Sequence, residues 1–183
     1  MTLEWIVFGL IALFILVIIL VYNGLIRSRN NVDNSWAQID VQLKKRSDLI
    51  PNLVETVKGY AKHEKEVFME VTQARANMLK AQTVEQKARA SNMLSDALKS
   101  IFAVAEAYPQ LRASENFKHL QEELSDIEGK IAYARQFYNE SVLDYNNSIQ
   151  VVPNSILAGP LGFGKKEFFE VAEEERKNVK VKF

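Results

Sequence analysis

The chain of 183 residues contains no cysteine and only two histidines, His63 and His119. A structural zinc site therefore lacks its usual ligands, and the absence of thiols agrees with a reducing compartment. An excess of either charge is missing too. The 23 Lys and Arg cancel the 23 Asp and Glu, which argues against the basic surface that nucleic-acid binding requires. Glycine and proline are scarce before Pro153, so long helices are favoured over strands. Catalytic motifs are missing as well. His63-Glu64 is followed by Val67 where a zinc-binding H-E-x-x-H helix needs its second histidine. Gly159, Gly162 and Gly164 follow no strand and lead into no Gly-Lys-Ser/Thr phosphate cradle, and no G-x-S-x-G elbow exists. Glu66 and Glu70 form a helical carboxylate pair. A di-metal site in a bundle needs Glu-x-x-His pairs, however, and after Glu115 the matching position is Lys118. The expectation is a protein with no metal, no cofactor and no catalytic residue, and so not an enzyme.

One long apolar run stands out against these gaps. No residue from Trp5 to Ile26 is charged. As a helix that segment is roughly 33 Å long, enough to cross a hydrocarbon core of about 30 Å. Ile6, Leu13 and Leu20 lie along its length, and Trp5 and Tyr22 stand near its two ends, where amphipathic rings favour the membrane boundary. A cleaved secretory signal does not fit. The start, Met-Thr-Leu-Glu, has no basic residue, and no A-x-A pattern follows. Arg27 and Arg29 follow the run directly and nothing basic precedes it. The positive-inside rule thus orients the span with its N-terminus outside and the remainder in the cytoplasm. The expected location is the cytoplasmic membrane, crossed once.

Residues 27–183 hold every basic residue and every acidic residue except Glu4. Helical periodicity is strong here. With Trp36 at heptad position a, that row contains Leu43, Ile50, Val57, Glu64, Val71 and Met78. Row d contains Ile39, Arg46, Leu53, Tyr60, Val67 and Ala74. Arg46 and Glu64 interrupt the seam. They either snorkel to its edge or form buried pairs that align helices, and the spacing leaves both open. Pro51 predicts a kink or a restart, with Asp48 as a cap. Asp40 and Lys44 read as a solvated face with i,i+4 support.

A second seam runs Phe117, Leu124, Ile131, Tyr138, Tyr145 and Val152, beside Leu120, Ile127 and Ala134. Ser114 is its N-cap and Pro153 its end. Between the seams, Thr83-x-x-Gln86 reads as a capping box opening a helix that closes at Tyr108-Pro109. Its buried face is Met93 or Leu94, then Ala97, Leu98, Ile101, Phe102 and Ala105. No strong breaker other than Gly24 separates the anchor from the first bundle helix, so the two would run almost continuously.

The fold class is therefore all-α: a single N-terminal transmembrane helix (1–26), an elongated antiparallel helical bundle of coiled-coil type (27–153), and an apolar loop with an irregular tail (154–183). A short strand is expected at Val179–Phe183. In the tail Phe163, Phe168, Phe169 and Phe183 either pack onto the bundle or form a contact surface for a partner or a second subunit.

Several blocks closely resemble the LemA family: Tyr22-Asn23-Gly24-Leu25-Ile26-Arg27, then Trp36 to Tyr60 around Ile50-Pro51-Asn52-Leu53, and then Ala105-Glu106-Ala107-Tyr108-Pro109. Further matches are Asn116-Phe117, Ile131-Ala132, Tyr138-Asn139, Pro153-Asn154, Gly162-Phe163 and the terminal Val-x-Phe. The resemblance covers nearly the whole chain. It implies a bacterial protein with one membrane helix, a cytoplasmic bundle and no catalytic residues to carry over. Some such proteins are associated with magnetosome membranes, and others are encoded beside HtpX-type membrane metalloproteases. Two functions are then in view. One is a non-enzymatic scaffold on the bilayer that forms homo-oligomers or docks a membrane protein. The other is an adaptor or regulator of membrane proteolysis.

Overall fold

A computed structural model describes residues 2–169. Among these the regular structure is entirely helical: α1 (Thr2–Lys58), α2 (Lys65–Lys80), α3 (Val84–Ala107), α4 (Pro109–Ala113), α5 (Glu115–Ser148) and α6 (Asn154–Ala158). The expected strand at Val179–Phe183 lies outside the described residues. The chain divides into two compact units. Among the described residues, one joins 2–37 to Gln136–Phe168, and the other takes Gln38–Arg135 with Phe169.

The apolar run and the first bundle helix are one helix, α1, of 57 residues. Gly24 does not break it. In the first unit the side chains from Leu3 to Leu20 stay exposed or half-exposed. Leu25 is the first fully covered side chain, and Val32 follows one heptad later. Both are d positions of the seam read from Trp36, so the buried stripe starts two heptads before Ile39. On the α5 side of this unit, Tyr138, Val142, Tyr145 and Ile149 are buried.

The second unit contains the larger core. Ile50, Leu53, Val57, Phe68, Val71, Leu94, Ile101, Leu111, Phe117 and Leu124 belong to one buried cluster. The seam positions Ile39, Leu43, Ile50, Leu53 and Val57 are all buried, as the heptads require. Proline does not restart the helix. Pro51 lies inside α1, which continues to Lys58. A proline deprives the carbonyl four residues earlier of its amide partner, and here that carbonyl, Ser47 O, accepts a hydrogen bond from Arg75 Nε of α2 at 2.8 Å. Rescue from a neighbouring helix is what lets the proline stay interior. The chain turns instead at Gly59–Glu64, between α1 and α2, and Tyr60 is exposed there. The apolar phase resumes in α2 with Val71, Ala74 and Met78.

The capping box at α3 is present in full. Thr83 Oγ1 accepts from Gln86 N, and the Gln86 side chain accepts from Thr83 N. Leu94, Ala97, Leu98, Ile101 and Ala105 are buried, Met93 faces out, and Phe102 is half-buried. Helix α3 closes at Ala107 with Tyr108 as its C-cap, as expected, and Pro109 then opens α4 as a first-turn residue. Helix α5 begins directly after Ser114 and stops at Ser148, ahead of Pro153. A residue preceding proline is pushed out of the helical region, so the periodicity fails before Val152. That side chain, read as part of the seam, is 76% exposed. Part of the segment expected as loop is the short helix α6.

Candidate functional site

Two clusters concentrate the polar and aromatic chemistry, one in each unit. In the first unit, the chain leaving α6 turns at Gly162, whose φ of +76° is a left-handed conformation that glycine adopts without strain. From Phe163 it continues without regular structure and is held by side chains of α5. Tyr145 donates to Gly164 O at 2.9 Å and Tyr138 donates to Glu167 O at 2.9 Å. Asn146 clamps Lys166 from both sides, its Nδ2 donating to the carbonyl and its Oδ1 accepting from the amide, each at 2.9 Å. Lys166 Nζ also pairs with Asp33 at 3.0 Å. These bonds give an irregular segment the backbone partners it would otherwise lack.

The residues expected as anchor and orienting charges fall as follows. Trp5, Ile6, Leu13 and Leu20 are exposed. Tyr22 is exposed in part, and its ring meets Phe163 edge-on at 5.9 Å between centroids. Arg29 stacks over the same Phe163 ring at 5.3 Å, while Arg27 is exposed. Phe163 is thereby buried against the end of the apolar run, and Phe168 stays 43% exposed. Phe169 belongs to the second unit, where it is buried under the guanidinium of Arg135 at 4.8 Å. Phe183 lies outside the described residues. The heptad rows give no sign of Asn146 or of the two phenol hydroxyls as clamps. The one usable signal is that tyrosines on a buried row must find partners for their hydroxyls.

Burial raises the Tyr138 phenol to about 12, with the carboxylates of Glu167 and Asp33 adding to the shift. Tyr145 is raised as well, again chiefly by burial, although Lys166 and Arg29 pull it back. The fold therefore favours the protonated Tyr138. Its contribution is complete below the ordinary tyrosine value near 10 and is lost as pH rises from there toward 12, on the order of 1–2 kcal/mol. In an ultraviolet titration of tyrosinate, Tyr138→Phe is expected to remove the last-ionising component. An unchanged high-pH phase would show that another phenol carries it.

In the second unit Arg46 is completely buried. Its guanidinium donates to Ser95 Oγ at 3.0 Å, to Ser91 O at 3.0 Å and to Ser91 Oγ at 2.8 Å, and it pairs with Glu128 of α5. Arg135 also donates to Ser91 Oγ, at 2.8 Å. Of the two alternatives for this seam cation, burial with partners on other helices is the one realised. Glu64 sits at the start of α2 and accepts a hydrogen bond from the Tyr108 hydroxyl at 3.2 Å. Asp40 differs from expectation. It pairs with Lys87 of α3, and Lys44 instead takes Asp48 at 3.0 Å.

The observations define a class: a chain all-helical among its described residues, whose first helix is long and apolar enough to cross a membrane and continues without a break past the apolar run. The chain belongs to the LemA family, whose model matches residues 35–183. It is similar to Magnetosome protein MamQ of Magnetospirillum gryphiswaldense, with 25% identity over 182 residues, covering 85% of this chain and 67% of that protein. Magnetosome protein MamQ 1 of Paramagnetospirillum magneticum is 24% identical over 183 residues, covering 86% and 67%. Protein LemA of Metamycoplasma hominis is 27% identical over 162 residues, covering 86% and 72%.

Proposed function

We propose that the protein is a non-enzymatic scaffold, anchored once in a bacterial cytoplasmic membrane with its N-terminus outside. Its cytoplasmic helices form an elongated antiparallel bundle that self-associates or docks a membrane partner. One observation carries this reading: the anchor and the first bundle helix are a single helix, bare to Leu20 and covered from Leu25. A helix apolar on all sides has no stable place in water. The same helix that leaves the bilayer supplies the first bundle helix, so each copy would be tethered at the membrane surface. Confinement to a surface raises the effective concentration of the copies, so weak lateral contacts suffice for assembly. Relatives named for the magnetosome support work at a membrane.

The test is the mass of the full-length protein extracted in a membrane-preserving polymer. A discrete large species containing only this chain is expected. A monomer would remove self-association from the proposal, and a complex with a second protein would replace it by the docking or proteolysis-adaptor role.

A further inference from the structure

Beyond the apolar run, the first unit carries an apolar surface that stays open among the described residues. Where α5 ends, Val151 is 54% exposed, Val152 76% and Ile156 67%, with Leu161 also open. A quarter of the chain is charged, yet from Tyr145 to Gly164 there is no charged residue at all. Polar residues are present in this stretch (Asn146, Asn147, Gln150, Asn154), so it is neither a core strand nor a span. Its composition suits the boundary between headgroups and acyl chains, where apolar tips and uncharged polar groups are both accommodated.

The contacts of this unit place the stretch at that boundary. Tyr138 stacks near Trp36, at 5.4 Å between centroids. Seven residues further along α5, Tyr145 lies in the field of Arg29, seven residues back along α1. Helix α5 ends three residues later at Ser148, where the loop begins. Phe163, closing the loop on its other side, touches Tyr22 directly. The Phe163 amide also donates to Ala158 O at 2.9 Å, which ties the loop to the level where the apolar run ends. After Phe163 the chain departs toward Asp33, which takes Lys166. Lys165, exposed just past the loop, suits the level where lipid phosphates would lie.

We propose that the loop from Val151 to Leu161 is a second, interfacial lipid contact: Val151, Val152, Ile156 and Leu161 enter the bilayer beside the exit of α1. The chain then meets its membrane as a span with a foot. The foot resists tilting of α1 and fixes the rotation of the first unit about the span. The proposal rests on the reading of α1 as a membrane anchor.

The absence of cysteine makes the test direct, because each introduced thiol is the only labelling site. Full-length V152C, I156C, L13C and K80C, carrying an environment-sensitive fluorophore, are reconstituted into vesicles of phosphatidylcholine and phosphatidylglycerol. Spin-labelled lipids quench either near the headgroup or near the chain terminus. The labels at positions 152 and 156 are expected to emit to the blue of the one at 80. They should lose most emission to the shallow quencher, and the label at 13 most to the deep one. If 13 is quenched while 152 and 156 behave as 80 does, the anchor stands and the foot is wrong. The foot is equally wrong if 152 and 156 are shielded from water but unquenched by lipid, since protein then covers them. If 13 itself is unquenched, the anchor reading fails and the foot with it. All four positions are exposed, and equal helical circular dichroism shows that each variant is folded.

Discussion

Deletion of residues 2–20 releases the protein from the membrane into the fraction extracted by alkaline wash. On an insertion scale that gives each Leu, Ile, Phe or Val a few tenths of a kcal/mol, the run from Ile6 to Tyr22 favours the bilayer by roughly 6 kcal/mol. One arginine at the centre opposes this by about 3 kcal/mol, so Leu13→Arg is expected to weaken insertion without abolishing it. Leu10→Arg combined with Leu16→Arg cancels the preference and reproduces the deletion. Both residues are exposed on α1, so the helical signal of the remaining chain stays intact. Retention of the deleted form after alkaline wash would overturn the anchor. The graded series separates insertion from adsorption, which carbonate removes in every variant.

Much of this fold is legible in the sequence because its dominant signals are local and periodic. The uncharged run, the seam from Ile39 to Val57 and the box at Thr83 each need fewer than about three heptads of neighbouring residues to declare themselves. What escapes a linear reading is decided by partners far along the chain. Pro51 interrupts nothing because Arg75, on the next helix, satisfies Ser47 O. The identity of a d-position arginine cannot distinguish a snorkelling side chain from a buried one. Serines on α3 and a carboxylate on α5 make that choice.

The lower end of the first unit is hidden for a different reason. Leu25 and Val32 continue the heptads, but they sit among Arg27, Arg29 and Asn30, whose polarity masks the stripe in a short window. The irregular segment from Phe163 has no period to detect. It is fixed by phenol and amide hydrogen bonds to backbone, whereas the aromatic pattern alone points to apolar packing. Phe163 and Phe169 do bury their rings, each with a guanidinium stacked on it, but they do so in different units.

Arg46→Ala is expected to cost about 3 kcal/mol of stability, read as a lower denaturation midpoint of the full chain in mild detergent by circular dichroism. The loss combines charge-assisted hydrogen bonds with the packing of a long stem that nothing else fills. Glu128 adds little to it, because its side chain is 48% exposed and can recover water when the pair is gone. Glu128→Gln should therefore cost no more than about 1 kcal/mol. Arg46→Met discriminates between two roles for the cation. It restores the stem volume and removes the desolvated charge, an exchange that is often neutral in a buried site. If Arg46 contributes mainly volume, the methionine variant regains the midpoint and remains uniquely packed. If it aligns α1 with α3 and α5, the midpoint recovers, but the sharp near-ultraviolet signal and resistance to dye binding do not. We expect the second pattern. The guanidinium places directed bonds on two serines and a carboxylate from two other helices, whereas a thioether in the same space would accept several helix registers equally well.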